Sequence, residues 1–134
     1  ILGIAALKLG AGHVRGTDLD ENAITAVGEN LASNQISPEQ FEVIQGNIID
    51  DKRIQDWAGY EAYDLVTANI LADVIIPLVD VIPAHLKKGG YFITSGIINM
   101  KEEAVKAAFA ANSAFEVEEI TYQGEWVSIT ARKR

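Results

Sequence analysis

The chain has 134 residues, no cysteine, and 11 Lys plus Arg against 19 Asp plus Glu, a formal net charge of −8. With 49 % hydrophobic and 22 % charged residues it is globular and of a length that suits one core. The missing cysteines exclude disulfides, thiolate zinc sites and a thiol nucleophile, and the acidic balance argues against a nucleic-acid partner held by general electrostatic attraction.

The chain opens in mid-pattern. Leu2 to Leu9 read as a short helix with Leu2, Ala5, Ala6 and Leu9 on one face, ended by Gly10 and Gly12. His13 to Leu19 read as a strand. Asp20 then suits the N-cap of a helix from Glu21 to Asn34, with Ile24, Val27 and Leu31 at helical spacing. Phe41 to Gln45 form a second strand, and Asn47 to Ala62 are mostly loop with a helical turn near Arg53 to Trp57. Tyr63 to Asn69 form a third strand, apolar enough for a buried position. A helical region, Ala72 to Lys87, is interrupted by Pro77 and Pro83. After a Lys87–Gly90 turn come a fourth strand, Tyr91 to Ser95, and a helix, Lys101 to Ala111, with Val105, Ala108 and Phe109 facing the core. Phe115 to Tyr122 and Trp126 to Ala131 read as a closing antiparallel pair.

Strands alternating with helices imply an α/β fold, three layers deep, around a mostly parallel sheet. The closing hairpin adds an antiparallel C-terminal strand, the pattern of Rossmann-like class I S-adenosylmethionine methyltransferases. No stretch reaches the roughly 18 uncharged apolar residues of a membrane span. The N-terminal segment lacks the marks of a signal peptide, so the expected compartment is the cytoplasm.

Three strand ends carry candidate chemistry, because ligands of open α/β sheets bind at the carboxyl ends of the strands. Asp18 can accept hydrogen bonds from both hydroxyls of a ribose, and Leu19 can cover an adenine face. The alternative is that Asp18 and Asp20 simply serve a strand–helix junction. Asn47, after Gly46, offers a side-chain amide to an adenine edge and Ile48 a ring contact, although Gly-Asn is also a turn dipeptide. Asn69 ends an apolar strand, where Asn is uncommon. Its carboxamide oxygen can hold the protons of an amine while that amine accepts a methyl group. The alternative is an Asn capping the next helix. His13, His85 and the pair Asp50 and Asp51 show no metal-ligand spacing, so no metal is expected. Trp126 is expected in the core.

The motifs GTDLDENAI, DLVTANILADVIIPL, LKKGGYFITSGII and GEWVSITARKR, in this order, resemble the PrmA-type ribosomal protein methyltransferases. The resemblance covers the whole chain, and ILGIAALKLGA looks like the helix that follows the family's glycine-rich cofactor loop. It implies methyl transfer from S-adenosylmethionine, leaving S-adenosylhomocysteine, to lysine side chains and the N-terminal amine of a large-subunit ribosomal protein, and the net charge of −8 is compatible with that protein being offered free of RNA. It implies that Asp18 binds the ribose and that Asn69 sits at the methionine and methyl-acceptor end. It further implies that residues 1–134 are a catalytic domain short of its first strand and glycine-rich loop, a strand that belongs between those ending at Asp18 and Asn69. A methyltransferase of another protein or a small amine is the nearest alternative. A nucleotide-binding module without catalysis is the more distant one.

Overall fold

A computed structural model describes residues 2–134. The chain divides into two compact units, residues 1–58 and 59–134.

In the first unit, α1 (Leu2–Lys8) leads into β1 (Val14–Asp18), α2 (Glu21–Ser33), β2 (Phe41–Gln45) and α3 (Lys52–Ala58). β1 and β2 pair in parallel, Val14 opposite Phe41 through to Asp18 opposite Gln45. Leu31, Ile36 and Phe41 form the core of this unit, and Ile4, Leu7, Val14, Val27 and Val43 pack against it. The face expected of α1 is therefore wrong. Ile4 and Leu7 turn inward, whereas Leu2 and Leu9 are 50 % and 88 % exposed. Gly3 explains the choice, because a side chain there would collide with Phe41 and Val14, so this is the face that can lie flat on β1 and β2. Asp20 caps α2 as expected, its Oδ1 accepting from the Asn22 backbone N–H at 2.9 Å. The single turn expected near Arg53 is a seven-residue helix.

In the second unit, β3 (Tyr63–Asn69), α4 (Ala72–Val81), β4 (Leu86–Ile98), α5 (Glu102–Ala110), β5 (Phe115–Gln123) and β6 (Trp126–Lys133) build a sheet in the order β3-β4-β6-β5. β3 and β4 run parallel, and β6 is antiparallel to both of its neighbours. β6 is thus the one reversed strand of this sheet, as the hairpin ending predicts. α4 and α5 pack side by side, and the Asn112 side chain donates to the Val79 carbonyl at 3.1 Å. Beneath them Phe92, Phe109 and Phe115 meet with ring centroids 5.5–6.0 Å apart, among the buried Ile75, Val105 and Ile129.

Two expectations change here. β4 is 13 residues long and absorbs the Lys87–Gly90 turn, with its pairing to β3 broken between Tyr63 and Leu65. β3 is not buried. Among the described residues it pairs only with β4, and Leu65 is 46 % exposed. An apolar strand is covered only where a neighbour reaches its second edge, and hydropathy alone does not supply that neighbour.

Candidate functional site

The first unit gathers four of the candidate residues at the carboxyl ends of β1 and β2. Parallel pairing sets Asp18 beside Gln45, and the Gly46 N–H donates to the Asp18 carbonyl at 2.9 Å. Asp18 and Leu19, which leave β1, therefore lie next to Asn47 and Ile48, which leave β2. The Asp18 carboxylate is exposed, and its Oδ1 accepts from the Asp20 N–H at 2.9 Å. Among the described residues nothing holds its second oxygen, which is free for a ligand hydroxyl. Leu19 is 65 % exposed, a large apolar side chain open to solvent at a strand end. The Gln45 side-chain amide donates to the Leu19 carbonyl at 3.2 Å and fixes the backbone beneath it.

Asn47 uses its carboxamide oxygen locally, accepting from the Ile49 N–H at 2.9 Å, so its NH2 is the group left for a ligand. Gln55 on α3 donates to the carbonyls of Ile48 and Ile49 at 2.9 and 3.1 Å and braces this loop. A side chain at Gly46 would overlap Ile54, so the glycine allows α3 to close against the end of β2. Asp51 begins that helix. The Arg53 guanidinium bonded to its side chain holds its carboxyl below the usual carboxylate range.

The second unit presents Asn69 at the carboxyl end of β3, exposed and in register with Ser95 of β4. The capping alternative does not hold. The N-cap of α4 is Leu71, without a side-chain hydrogen bond, two residues beyond Asn69. Asn69 Oδ1 points toward β4, where a Cβ on Gly96 would lie 2.5 Å from it and 3.4 Å from the Ile70 carbonyl oxygen. Two acceptor oxygens thus converge on one glycine. Ile70, Leu71, Met100 and Trp126 leave 39–82 % of their surface exposed in the segments that follow or flank these strand ends.

Gly96 escaped the sequence reading, although a glycine inside a strand pattern signals a bulge or a close approach. Trp126 is 54 % exposed and not core, because it opens β6 at the hairpin. His85 lies at a helix end, as the C-cap of the 3-10 turn Ile82–Ala84 that follows α4. It is buried, with Nδ1 2.7 Å from the Gly59 carbonyl oxygen and its ring stacked on Tyr60. His13 pairs with Glu42 at 2.8 Å. Among the described residues no group of His, Asp and Glu is placed to hold a metal ion, and no helix is long and apolar enough to cross a membrane.

The family profile described as Ribosomal protein L11 methyltransferase (PrmA) matches residues 1–134. The ribosomal protein L11 methyltransferase of Lachnospira eligens is 58 % identical, over all of this chain and 42 % of its own length. That of Agathobacter rectalis is 53 % identical, over 99 % of this chain and 41 % of its own. The chain therefore spans about two-fifths of these curated relatives. The crystal structure of ribosomal protein L11 methylase from Lactobacillus delbrueckii subsp. bulgaricus superposes with a TM-score of 0.85 at 31 % identity, over 99 % of this chain and 64 % of that one. That likeness bears out the Rossmann-like α/β fold expected from the strand order.

Proposed function

We propose, since this chain belongs to the PrmA family of ribosomal protein L11 methyltransferases, that it is the catalytic part of a longer enzyme that methylates amines of ribosomal protein L11. The cofactor is S-adenosylmethionine, which when bound supplies an electrophilic methyl group on a sulfonium. Asp18 holds the ribose through its uncommitted carboxylate oxygen. Leu19 covers one adenine face, and the Asn47 side-chain NH2 and Ile48 meet the ring from β2. No metal takes part.

The observation that carries the catalytic reading is Asn69. It is an exposed carboxamide at a strand's carboxyl end, and it is not used to cap the helix that follows. As an amine accepts a methyl group, positive charge grows on its nitrogen. The Asn69 oxygen and the Ile70 carbonyl accept the N–H groups, which stabilises that charge and fixes the direction of the lone pair. No acid–base residue with a displaced pKa is needed. The net charge of −8 is compatible with a basic ribosomal protein offered free of RNA and disfavours direct binding to nucleic acid. Cytoplasmic residence follows from such a substrate. Methylation of another protein or a small amine is the reading that remains if that substrate is refused.

The test is methyl transfer from S-adenosylmethionine to purified ribosomal protein L11 by the full-length enzyme. Asn69→Ala should lower kcat by about 100-fold, the loss typical of a positioned group that meets developing charge. It should weaken S-adenosylhomocysteine binding far less. An unchanged rate would remove Asn69 from the mechanism.

A further inference from the structure

β4 carries an irregularity partway along its pairing with β6. Its buried positions run Phe92, Thr94, Ile97, stepping by two and then by three. Opposite it on β6, the buried Val127, Ile129 and Ala131 step by two throughout. The ladder pairs Thr94 with Ile129 and then Ile97 with Val127, so Ser95 and Gly96 together face the single residue Ser128. Such a bulge re-aims backbone and is common beside active sites.

Side chains lock this one. Ser128 Oγ donates to the Thr94 carbonyl at 2.9 Å, and the buried Thr94 Oγ1 donates to the Ile129 carbonyl at 3.1 Å. On the other edge of β4, Ser95 is the register partner of Asn69. Gly96 follows at φ +75°, a conformation that favours glycine, with Asn69 Oδ1 and the Ile70 carbonyl over the place a Cβ would occupy.

We propose that the Ser95–Gly96 bulge, clasped by Ser128, is a seat for the Asn69 carboxamide, and that Gly96 and Ser128 are positioning residues. This rests on the role given to Asn69 above. The closest obstruction a methyl group would meet at Gly96 is the far end of a flexible side chain, so Gly96→Ala should displace the carboxamide, in addition to the backbone strain of a side chain at φ +75°. The seat acts at the methionine and acceptor end, because the residues assigned to ribose and adenine lie on other strands.

A double-mutant cycle on the full-length enzyme tests it. Gly96→Ala should lower kcat by about 100-fold, the scale of an ångström's misplacement of a reacting partner, with S-adenosylhomocysteine affinity kept. The same change added to Asn69→Ala should cost almost nothing more, since no carboxamide is left to displace. An equal further loss in both backgrounds would overturn the seat, because it would mark a general fold defect. Ser128→Ala gives a second cycle free of positive-φ strain, expected to show a smaller loss of the same kind that Ser128→Thr restores. If Ser128→Ala costs the same with and without Asn69, the clasp is wrong. The Asn69 side-chain NH2 resonance in 15N-labelled enzyme, assigned by its disappearance in Asn69→Ala, should shift in Gly96→Ala. A shift with Asn69→Ala fully active would keep the seat and remove the catalytic role. An unmoved resonance would overturn the seat whatever the rates.

Discussion

Asp18 and Asp20 stand two residues apart, share one turn and divide its work. Asp20 Oδ1 caps α2, whereas Asp18 Oδ1 closes the turn below it and leaves the second oxygen outward. Asp20→Ala should therefore cost about 1 kcal/mol of stability, as other lost N-caps do. Calorimetry should then find S-adenosylhomocysteine affinity unchanged. Asp18→Asn keeps an acceptor for the turn but loses the charge and the second carboxylate oxygen. It should leave the melting temperature in place and weaken that affinity roughly tenfold or more. The reverse pattern, with Asp20 controlling affinity, would move the ribose contact by two residues. This division was half legible in the sequence. Asp before a helical pattern is a local signal, and the structure bears out the cap. Which oxygen stays free depends on how the turn closes. His85 and Trp126 fall outside local reasoning for a related reason. The first is buried by loop residues 59–60 some 25 positions earlier, and the second is exposed because its strand begins at an open hairpin end.

At the scale of elements, periodicity found β2 and β3 residue for residue, because both are short and bounded by turn chemistry or a new helix. It misjudged β4, whose length comes from pairing with strands on both sides, a long-range property that Lys87–Gly90 hides behind a turn signature. The inward side of α1 was also beyond it, since its short amphipathic pattern allows two faces and the fit of Gly3 against Phe41 decides between them. α5 is the clearest case of pattern and packing agreeing. Val105 and Phe109, four residues apart, are both buried, and Phe109 stacks edge-on to Phe115 with centroids 5.5 Å apart. Removing that ring leaves a cavity beside Phe92 and Phe115. Phe109→Ala should cost about 3–5 kcal/mol, read as a fall in denaturant midpoint for the full-length enzyme. Ala107→Ser on the exposed side of the same helix should cost under about 0.5 kcal/mol. Equal costs at the two positions would mean that α5 is not held by this cluster.

For the whole chain, the open sheet edges differ in chemistry. β5 is an edge strand that defends itself, with Glu116, Glu118 and Glu119 exposed along it and its pairing to β6 broken between Val117 and Glu119. Charge and irregularity of this kind keep other chains from adding to an edge. β3 is more lightly defended, its irregularity lying only at its start, between Tyr63 and Leu65. Its one acidic residue is Asp64, Leu65 lies half exposed beside it, and among the described residues no strand pairs with its second edge. In the first unit β1 pairs, among the described residues, only with β2. An edge left apolar is an edge built to be paired, and this predicts a partner for the second edge of β3 in the longer enzyme. Residues 1–134 produced alone should then associate with rising concentration in sedimentation and melt without a cooperative transition, because unpaired backbone and exposed apolar side chains seek partners. Lysine at Leu65 charges that edge, so Leu65→Lys should lessen the association of the isolated segment. In the full-length enzyme the same change should be destabilising, because there it would bury an unpaired charge. A monomeric segment with a sharp melting transition would show the edge needs no partner. A full-length Leu65→Lys enzyme as stable as the wild type would show that no strand covers it.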